Sequence, residues 1–600
     1  MKFLSNLVAS ALGTLIALAI VFFIGLATLL VFVAAADQTP SVSNESVLVI
    51  EFTGAIPEVV SGDPITQMLA GEPPFGLREL VSSLQMAATD DRIDAVWLQI
   101  RNVTGSWAAL EEVRSAVLQF KETGKPVYAS SNDYVMSEQA YFVASAADSV
   151  FSSKQGIFEF NGFDLTVTFF QNLLERLSIE PQAVRAGRFK SAVEPFTRED
   201  LSPENEEQLA SFLETLDDVF MSAIGESRQI SPDSLRRIAS ERAIISASDA
   251  FDAGLLDGLL HHDEVNDIIK ARLGVDADDD LHTIPMSRYH RISPSDAGLE
   301  VNRDGDVAIV YAVGQIVSGE SDLSDPLGSG FLGAETFVDA MNEARESESV
   351  KAVVVRVDSP GGSASASDAM WRAIHLTSLE KPVVISMGGM AASGGYWIAT
   401  GAETVVADPL TITGSIGVFG LFFDASGFFE EKLGITFDGV QTSPYADMFS
   451  GIAPLSDGER QMLEAFVDDT YDDFLDRVAE ARDMTTEEVD SIGQGRIWMG
   501  RRALEIGLVD TLGTLTDAVH VAAHKAEMGE GPYRIRVLPR PKTFVEQLTS
   551  GLGARAASAW TRLSTTPAER ALLDQARHIR DAVRQQGSVQ ARLPIDITIR

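Results

Sequence analysis

An internal duplication constrains this chain more than any other feature. SVLVIEFTGAIPE begins at Ser46 and GDVAIVYAVGQIVSG at Gly305, each a β-rich apolar run that includes Gly-x-Ile (Gly54-Ala55-Ile56 and Gly314-Gln315-Ile316). IDAVWLQIRN (93–102) corresponds to VKAVVVRVDS (350–359), and both have the continuous apolar pattern of a buried strand. Amphipathic helices are expected at LEEVRSAVLQF (110–120) and SDAMWRAIHL (367–376). Lys125-Pro126-Val127 matches Lys381-Pro382-Val383, Tyr141 matches Tyr396, and AFDAGLLDGL (250–259) matches ALEIGLVDTL (503–512). The offset stays between 253 and 260 residues throughout. Strands alternating with helical patterns of this length indicate α/β units with mainly parallel strands. The expected organisation is one α/β domain at 46–275, an Asp-rich linker at 276–304, and a second copy at 305–530. A basic tail, 531–600, follows.

The start of the chain is different in kind. Leu7 to Ala36 carries no charged residue. As a helix it would be about 45 Å long, against a hydrocarbon core of about 30 Å. It is also about twice the apolar core of a cleaved signal peptide. Residues 1–36 are therefore expected to be a retained transmembrane anchor, with 37–45 as a polar linker, although Ala34-Ala35-Ala36 resembles a cleavage site. Lys2 precedes the run and no Lys or Arg follows it before Arg78. The positive-inside rule then places the body on the non-cytoplasmic side. In a Gram-negative cell this is a single-pass inner-membrane protein with a periplasmic body.

Charge excludes one class of partner. The net charge is −40, so the basic footprint of a nucleic-acid-binding protein is missing. The charge is uneven: residues 534–600 carry +7 and the rest −47. Such a tail suits contact with anionic lipid or with the acidic body itself. Within it, 568–586 has helical spacing, with Leu572, Ala576, Ile579 and Val583 on one stripe. The chain has no cysteine, which rules out a thiol nucleophile, thiolate metal sites and disulfides.

The two halves differ where chemistry is concentrated. In the second half, Met390-Ala391-Ala392-Ser393-Gly394-Gly395-Tyr396 follows the strand PVVISM and precedes a helical stretch. A serine between small residues at such a turn is open to an attacking geometry. The Gly394 amide, at a helix N-terminus, can face a developing oxyanion. Asp358-Ser359-Pro360-Gly361-Gly362-Ser363 is a second glycine turn whose bared N–H groups can supply another donor. The corresponding first-half segments, near Ser137-Glu138 and Asn102-Val103-Thr104-Gly105, lack the glycine pairs.

A serine hydroxyl needs a base. The eight histidines sit in no motif with Ser393, His375 lies on an amphipathic helix, and neither GxSxG nor HExxH occurs. The base is then a lysine or a distant histidine. A lysine serving at neutral pH must lose roughly 4 kcal/mol of preference for its charged form. Burial among apolar and hydroxyl groups can do this. Arg188-Phe189-Lys190-Ser191-Ala192-Val193 offers a lysine in a mostly uncharged setting, but nothing else in the sequence marks Lys190 out.

VRVDSPGG (355–362), SMGGMAASGGYWIAT (386–400), TGSIGV (413–418) and GRFKSAVEPF (187–196) resemble the long, duplicated form of the signal peptide peptidase A family. The resemblance runs through roughly 46–530. It implies two tandem ClpP/crotonase-like domains of repeated ββα units, with Ser393 as nucleophile and Lys190 as general base. It also implies that Ser415 orients the lysine and that the Gly362 and Gly394 amides form the oxyanion hole. Tyr445 stands where the second half would carry its own lysine. No metal or other cofactor is implied. The implied substrates are cleaved signal peptides at the membrane, and the implied assembly is a homotetramer with enclosed sites. Two other readings compete: a crotonase-type acyl-CoA enzyme, which has no use for a Ser/Lys/Ser set, and a non-catalytic scaffold on the same fold. A peptidase of broader membrane-protein quality control is a variant of the first reading.

Overall fold

The computed structural model describes residues 40–60, 75–131, 135–242, 244–321, 330–540 and 590–592, together with Gly13 and Ile20. Apart from those two residues, the expected anchor lies outside the described residues, as does the helix expected at 568–586. No helix among the described residues is long and apolar enough to cross a membrane.

Two parallel sheets carry the duplication. In the first the strand order is Thr283–Pro285, Ser46–Ala55, Ile93–Thr104, Val127–Ser131, Ser149–Ser152 and Gly258–Leu259. In the second, six of the eight strands run in the order Arg534–Leu538, Asp306–Val313, Val350–Ser359, Val383–Ala392, Thr404–Ala407 and Thr511–Leu512, and Ile412–Gly414 with antiparallel Ile497–Met499 branches from the end of Val383–Ala392. Those six correspond strand for strand to the first sheet. The equivalence reaches beyond the motifs, because the outer strands Thr283–Pro285 and Arg534–Leu538 fall in the stretches read from the sequence as linker and tail. The long strands are buried on both faces, which is why their sequences are continuously apolar rather than alternating.

Helices cover the sheets in matching positions. Trp107–Lys121 and Ala364–Ser378 follow the central strands, and each is capped by a serine, Ser106 accepting from the Ala109 amide and Ser363 from the Ala366 amide. The matched side chains do matched work. Lys125 Nζ donates to the Ala87 and Asp90 carbonyls, and Lys381 Nζ to those of Ala344 and Ser347. Tyr141 donates to the Leu255 carbonyl and Tyr396 to that of Leu508. These contacts pin each helical layer to its own sheet.

The halves are joined by more than the linker. First-half strand Glu180–Ala186 runs antiparallel to second-half strand Val418–Asp424, pairing from Ala186 with Val418 to Glu180 with Asp424. This seam belongs to a third sheet that also contains Phe331–Gly333, Gln315–Val317, Gly361–Ser363 and Gln590–Arg592. The first core also takes in Ala392, Leu410, Ile412, Ile497 and Met499 of the second half. The seam and the shared core fix the loop after Ala186 against the second half.

Candidate active site

Ser393 lies between the strand Val383–Ala392 and the helix Gly394–Ala399. Its backbone sits at φ 55° and ψ −115°, a conformation that costs a non-glycine residue about 1–3 kcal/mol. Its amide donates to the Gly414 carbonyl at 2.8 Å, which helps hold that turn. The first-half counterpart, Ser137, has an ordinary extended backbone and its hydroxyl caps the following helix at the Ala140 amide. Ser393 makes no such cap, so its hydroxyl faces elsewhere.

It faces Lys190. Lys190 Nζ lies 2.7 Å from Ser393 Oγ, 3.0 Å from Ser415 Oγ and 3.1 Å from the Ser415 carbonyl oxygen. All three residues are fully buried. Burial alone pushes the Lys190 amine well below the usual lysine range. Hydroxyl and carbonyl partners leave it without the carboxylate that would restore the charge. Ser415 has φ 52°, and its amide donates to the Arg496 carbonyl at 2.7 Å, which sets both of its oxygens toward the amine.

Lys190 comes from the first half and is held by the second. The Phe189 amide donates to the Gln494 carbonyl at 2.8 Å. Gly495 has φ +77°, and a Cβ there would stand 2.6 Å from the Lys190 Cβ, so only glycine admits this approach. Behind the lysine, Gln208 Nε2 donates to the Phe189 carbonyl and to Ser191 Oγ, while its Oε1 accepts from the Ile497 amide. Buried Glu194 accepts from Ser202 and Asn205.

The two glycine turns meet at the serine. A Cβ on Gly361 (φ +90°) would lie 2.6 Å from the Gly394 nitrogen, and one on Gly394 would lie 3.1 Å from the Gly362 nitrogen. The Gly362 and Gly394 amides therefore converge on one small volume, where two N–H donors can receive an oxyanion. All five residues singled out in the sequence come together here. His375 does not join them, being stacked on Trp371, and Tyr445 is exposed on a separate loop.

A buried ionic cluster beneath the site escaped sequence reasoning. Arg356 Nε and Nη2 donate to Glu58 at 3.0 and 2.6 Å, and Nη2 lies 2.7 Å from Glu112. Both glutamates come from the first half. Asp358, on the same strand as Arg356, accepts from the Met390 amide at 2.9 Å. Burial and then the Glu58 charge push its carboxyl up to about 7. The available signal was a pair of charged residues, Arg356 and Asp358, within the continuous apolar run that follows Lys351.

The comparisons agree with this geometry. Residues 119–276 and 375–529 match the family described as Peptidase family S49. "Protease 4" of Salmonella typhi is 35% identical over 464 residues, covering 75% of this chain and 72% of that protein. "Serine protease SPPA, chloroplastic" of Arabidopsis thaliana is 32% identical, covering 80% and 70%. "Protease 4" of Haemophilus influenzae is 31% identical, covering 84% and 83%.

Proposed function

This chain belongs to peptidase family S49, and on that premise we propose that it is a Ser/Lys peptidase whose dyad joins its two halves. Serine peptidase activity is the activity of the family. The observation that carries the finer reading is a fully buried lysine amine 2.7 Å from a strained, fully buried serine hydroxyl.

In this reading neutral Lys190 takes the Ser393 proton as Oγ attacks a peptide carbonyl carbon. The Gly362 and Gly394 amides receive the charge that forms on the carbonyl oxygen. The lysine ammonium then gives its proton to the leaving amine, and water hydrolyses the acyl-enzyme with Lys190 again as base. Ser415 keeps two acceptors on the amine, which directs its lone pair at Ser393. Every step uses side chains and amides of this chain.

The substrates proposed are remnant signal peptides. The names of the Arabidopsis and bacterial relatives support a protease of this kind. The charge-free run Leu7–Ala36 supports a single membrane anchor, and the Lys/Arg asymmetry around it supports a periplasmic body. The assembly proposed is a homotetramer; exposed apolar side chains at Leu433, Ile435, Phe437, Val440, Phe449 and Phe466 support a contact between subunits. Each half is read as a ClpP/crotonase-like unit, which the matching strand orders support.

The test is cleavage of a fluorogenic apolar peptide by detergent-solubilised wild type, Ser393→Ala and Lys190→Ala. Near-complete loss in both folded variants is expected. Wild-type rates in Ser393→Ala would remove the nucleophile, and activity retained only in Lys190→Ala would assign another base. An inert wild type would favour the scaffold.

A further inference from the structure

Each half carries one long helix in the same place. Pro203–Arg228 and Asp457–Arg482 are both 26 residues long, both are capped by a serine, Ser202 and Ser456, and both end at a left-handed residue, Gln229 and Asp483. The offset is 254 residues, and at that offset buried Leu209 and Phe220 match buried Leu463 and Phe474. One face departs from this match. Gln208 and Phe212 are buried, while their counterparts Met462 and Phe466 are exposed. That face therefore belongs to the contact between the halves and not to the repeated fold. A buried glutamine there serves something that only the half bearing Lys190 contains.

Gln208 is held at both polar atoms of its head. Nε2 lies 2.9 Å from Asn205 Oδ1, 3.0 Å from Ser191 Oγ and 3.3 Å from the Phe189 carbonyl oxygen, and Oε1 accepts from the Ile497 amide at 3.2 Å. The orientation is dictated by partners of fixed character. The Phe189 carbonyl can only accept and the Ile497 amide can only donate, so the nitrogen must face the first half and the oxygen the second. Glu194 reinforces this by accepting from Asn205 Nδ2 at 3.1 Å, which turns Asn205 Oδ1 toward Gln208. The nitrogen arm grips the residues on either side of Lys190. The oxygen arm grips Ile497, whose neighbour Arg496 accepts through its carbonyl from the Ser415 amide at 2.7 Å. One planar amide thus links the loop that carries the amine to the turn that aims it.

We infer that Gln208 is a positioning residue, tying the backbone around Lys190 to Ile497 so that the amine meets Ser393 and Ser415 at hydrogen-bond distance. The inference rests on the dyad reading above. Gln208 acts through Lys190 and Ser415 and not on the reacting atoms. Its helix is anchored in the first core by Leu209, Phe212 and Leu216, which gives the clamp a rigid base. A displacement of the lysine loop by about 1 Å is enough to cost on the order of 10²-fold in rate.

The test is a double-mutant cycle on the detergent-solubilised full-length chain, with kcat and KM read on a fluorogenic apolar peptide and stability by urea unfolding. The variants are Gln208→Met, Ser415→Ala and the two combined, with Lys190→Ala and Ile224→Val alongside. Gln208→Met keeps the length of the side chain and loses both arms, so kcat is expected to fall about 10- to 100-fold while KM stays within about two-fold. Both substitutions disturb the aim of one amine. The combined variant is therefore expected to lose at least about five-fold less than the product of the single losses. Ile224→Val trims a buried side chain of the same helix and is expected to lose stability and keep its kcat. Losses that multiply overturn the inference, as does a Gln208→Met kcat within about two-fold of wild type, a loss carried by KM, or an equal fall in kcat from Ile224→Val. If Gln208→Met does not fold, Gln208→Glu, which keeps the acceptor for Ile497 and lacks the amide donors, takes its place in the cycle and the same outcomes decide. An inactive Lys190→Ala beside an unaffected Gln208 variant overturns this inference alone, whereas an active Lys190→Ala overturns the dyad reading with it.

Discussion

Ser415→Ala tests whether the lysine is aimed or merely present. A neutral amine has two N–H groups and one lone pair, and Lys190 Nζ has three neighbours. If the Ser415 carbonyl and hydroxyl oxygens accept the two N–H groups, the lone pair is left for the Ser393 hydroxyl. After proton transfer all three neighbours accept from the ammonium. Removing the Ser415 hydroxyl leaves one acceptor and frees the amine to rotate. A hydrogen bond to a charged group contributes about 1.5–3 kcal/mol, which corresponds to a fall of roughly 10- to 150-fold in kcat. KM should hold, because Ser415 is buried behind the amine. The variant brings no new backbone strain, since alanine and serine have similar preferences at φ 52°. The hydroxyl stabilises the ammonium more than the amine, so its loss lowers the lysine pKa further. The rising limb of the pH–rate profile should therefore move to lower pH. The assay is steady-state cleavage of a fluorogenic peptide across pH. A kcat within about two-fold of wild type, with an unmoved profile, would refute the positioning argument.

Three further perturbations probe the surroundings. Arg356→Met leaves Glu58 and Glu112 buried without their cation and should cost about 3–5 kcal/mol in urea unfolding; a loss under about 1 kcal/mol would mean that the glutamates find another partner. Gly361→Ala would put a Cβ 2.6 Å from the Gly394 nitrogen at φ +90°, so peptidase activity should fall at least about 10²-fold, and a near-wild-type rate would displace the oxyanion assignment. Asp358→Asn should flatten stability against pH. The unfolded carboxyl loses its proton near the ordinary value of 3.8 and the folded one near 7, so its stabilising contribution is full below the first and lost as pH rises through the second. The melting temperature of the Asn variant should gain on wild type between about pH 4 and pH 8, and parallel curves would show that Asp358 ionises normally.

How much of this was legible in the sequence follows from how local each signal is. The duplication was legible because Lys125 and Lys381, or Tyr141 and Tyr396, repeat the same contacts at a steady spacing. The glycine turns at 361–362 and 394–395 were legible because backbone crowding leaves few other residues able to stand there. The outer strands Thr283–Pro285 and Arg534–Leu538 were not, being short and polar enough to read as linker and tail. Nor were Gln208, Glu194 and the Arg356 cluster, whose roles depend on partners far along the chain. Lys190 is the clearest case. Its neighbours in sequence do not distinguish it, and what changes its chemistry is Ser415, Gln494 and Gly495 of the other half.

That last point explains why the site spans the seam. A lysine kept neutral must be desolvated, and an unpaired amine in one domain's own core would weaken that domain. At a seam the cost is shared with an interface that is already extensive, through the strand pair Glu180–Ala186 and Val418–Asp424 and the ionic link from Arg356 to Glu58 and Glu112. The first half can then use Ser137 as an ordinary helix cap, and the second can expose Tyr445 where no lysine is needed. Divergence after duplication therefore left one site from two partial ones. It also makes activity conditional on docking of the halves: a substitution that loosens the seam should lower kcat before it unfolds either sheet.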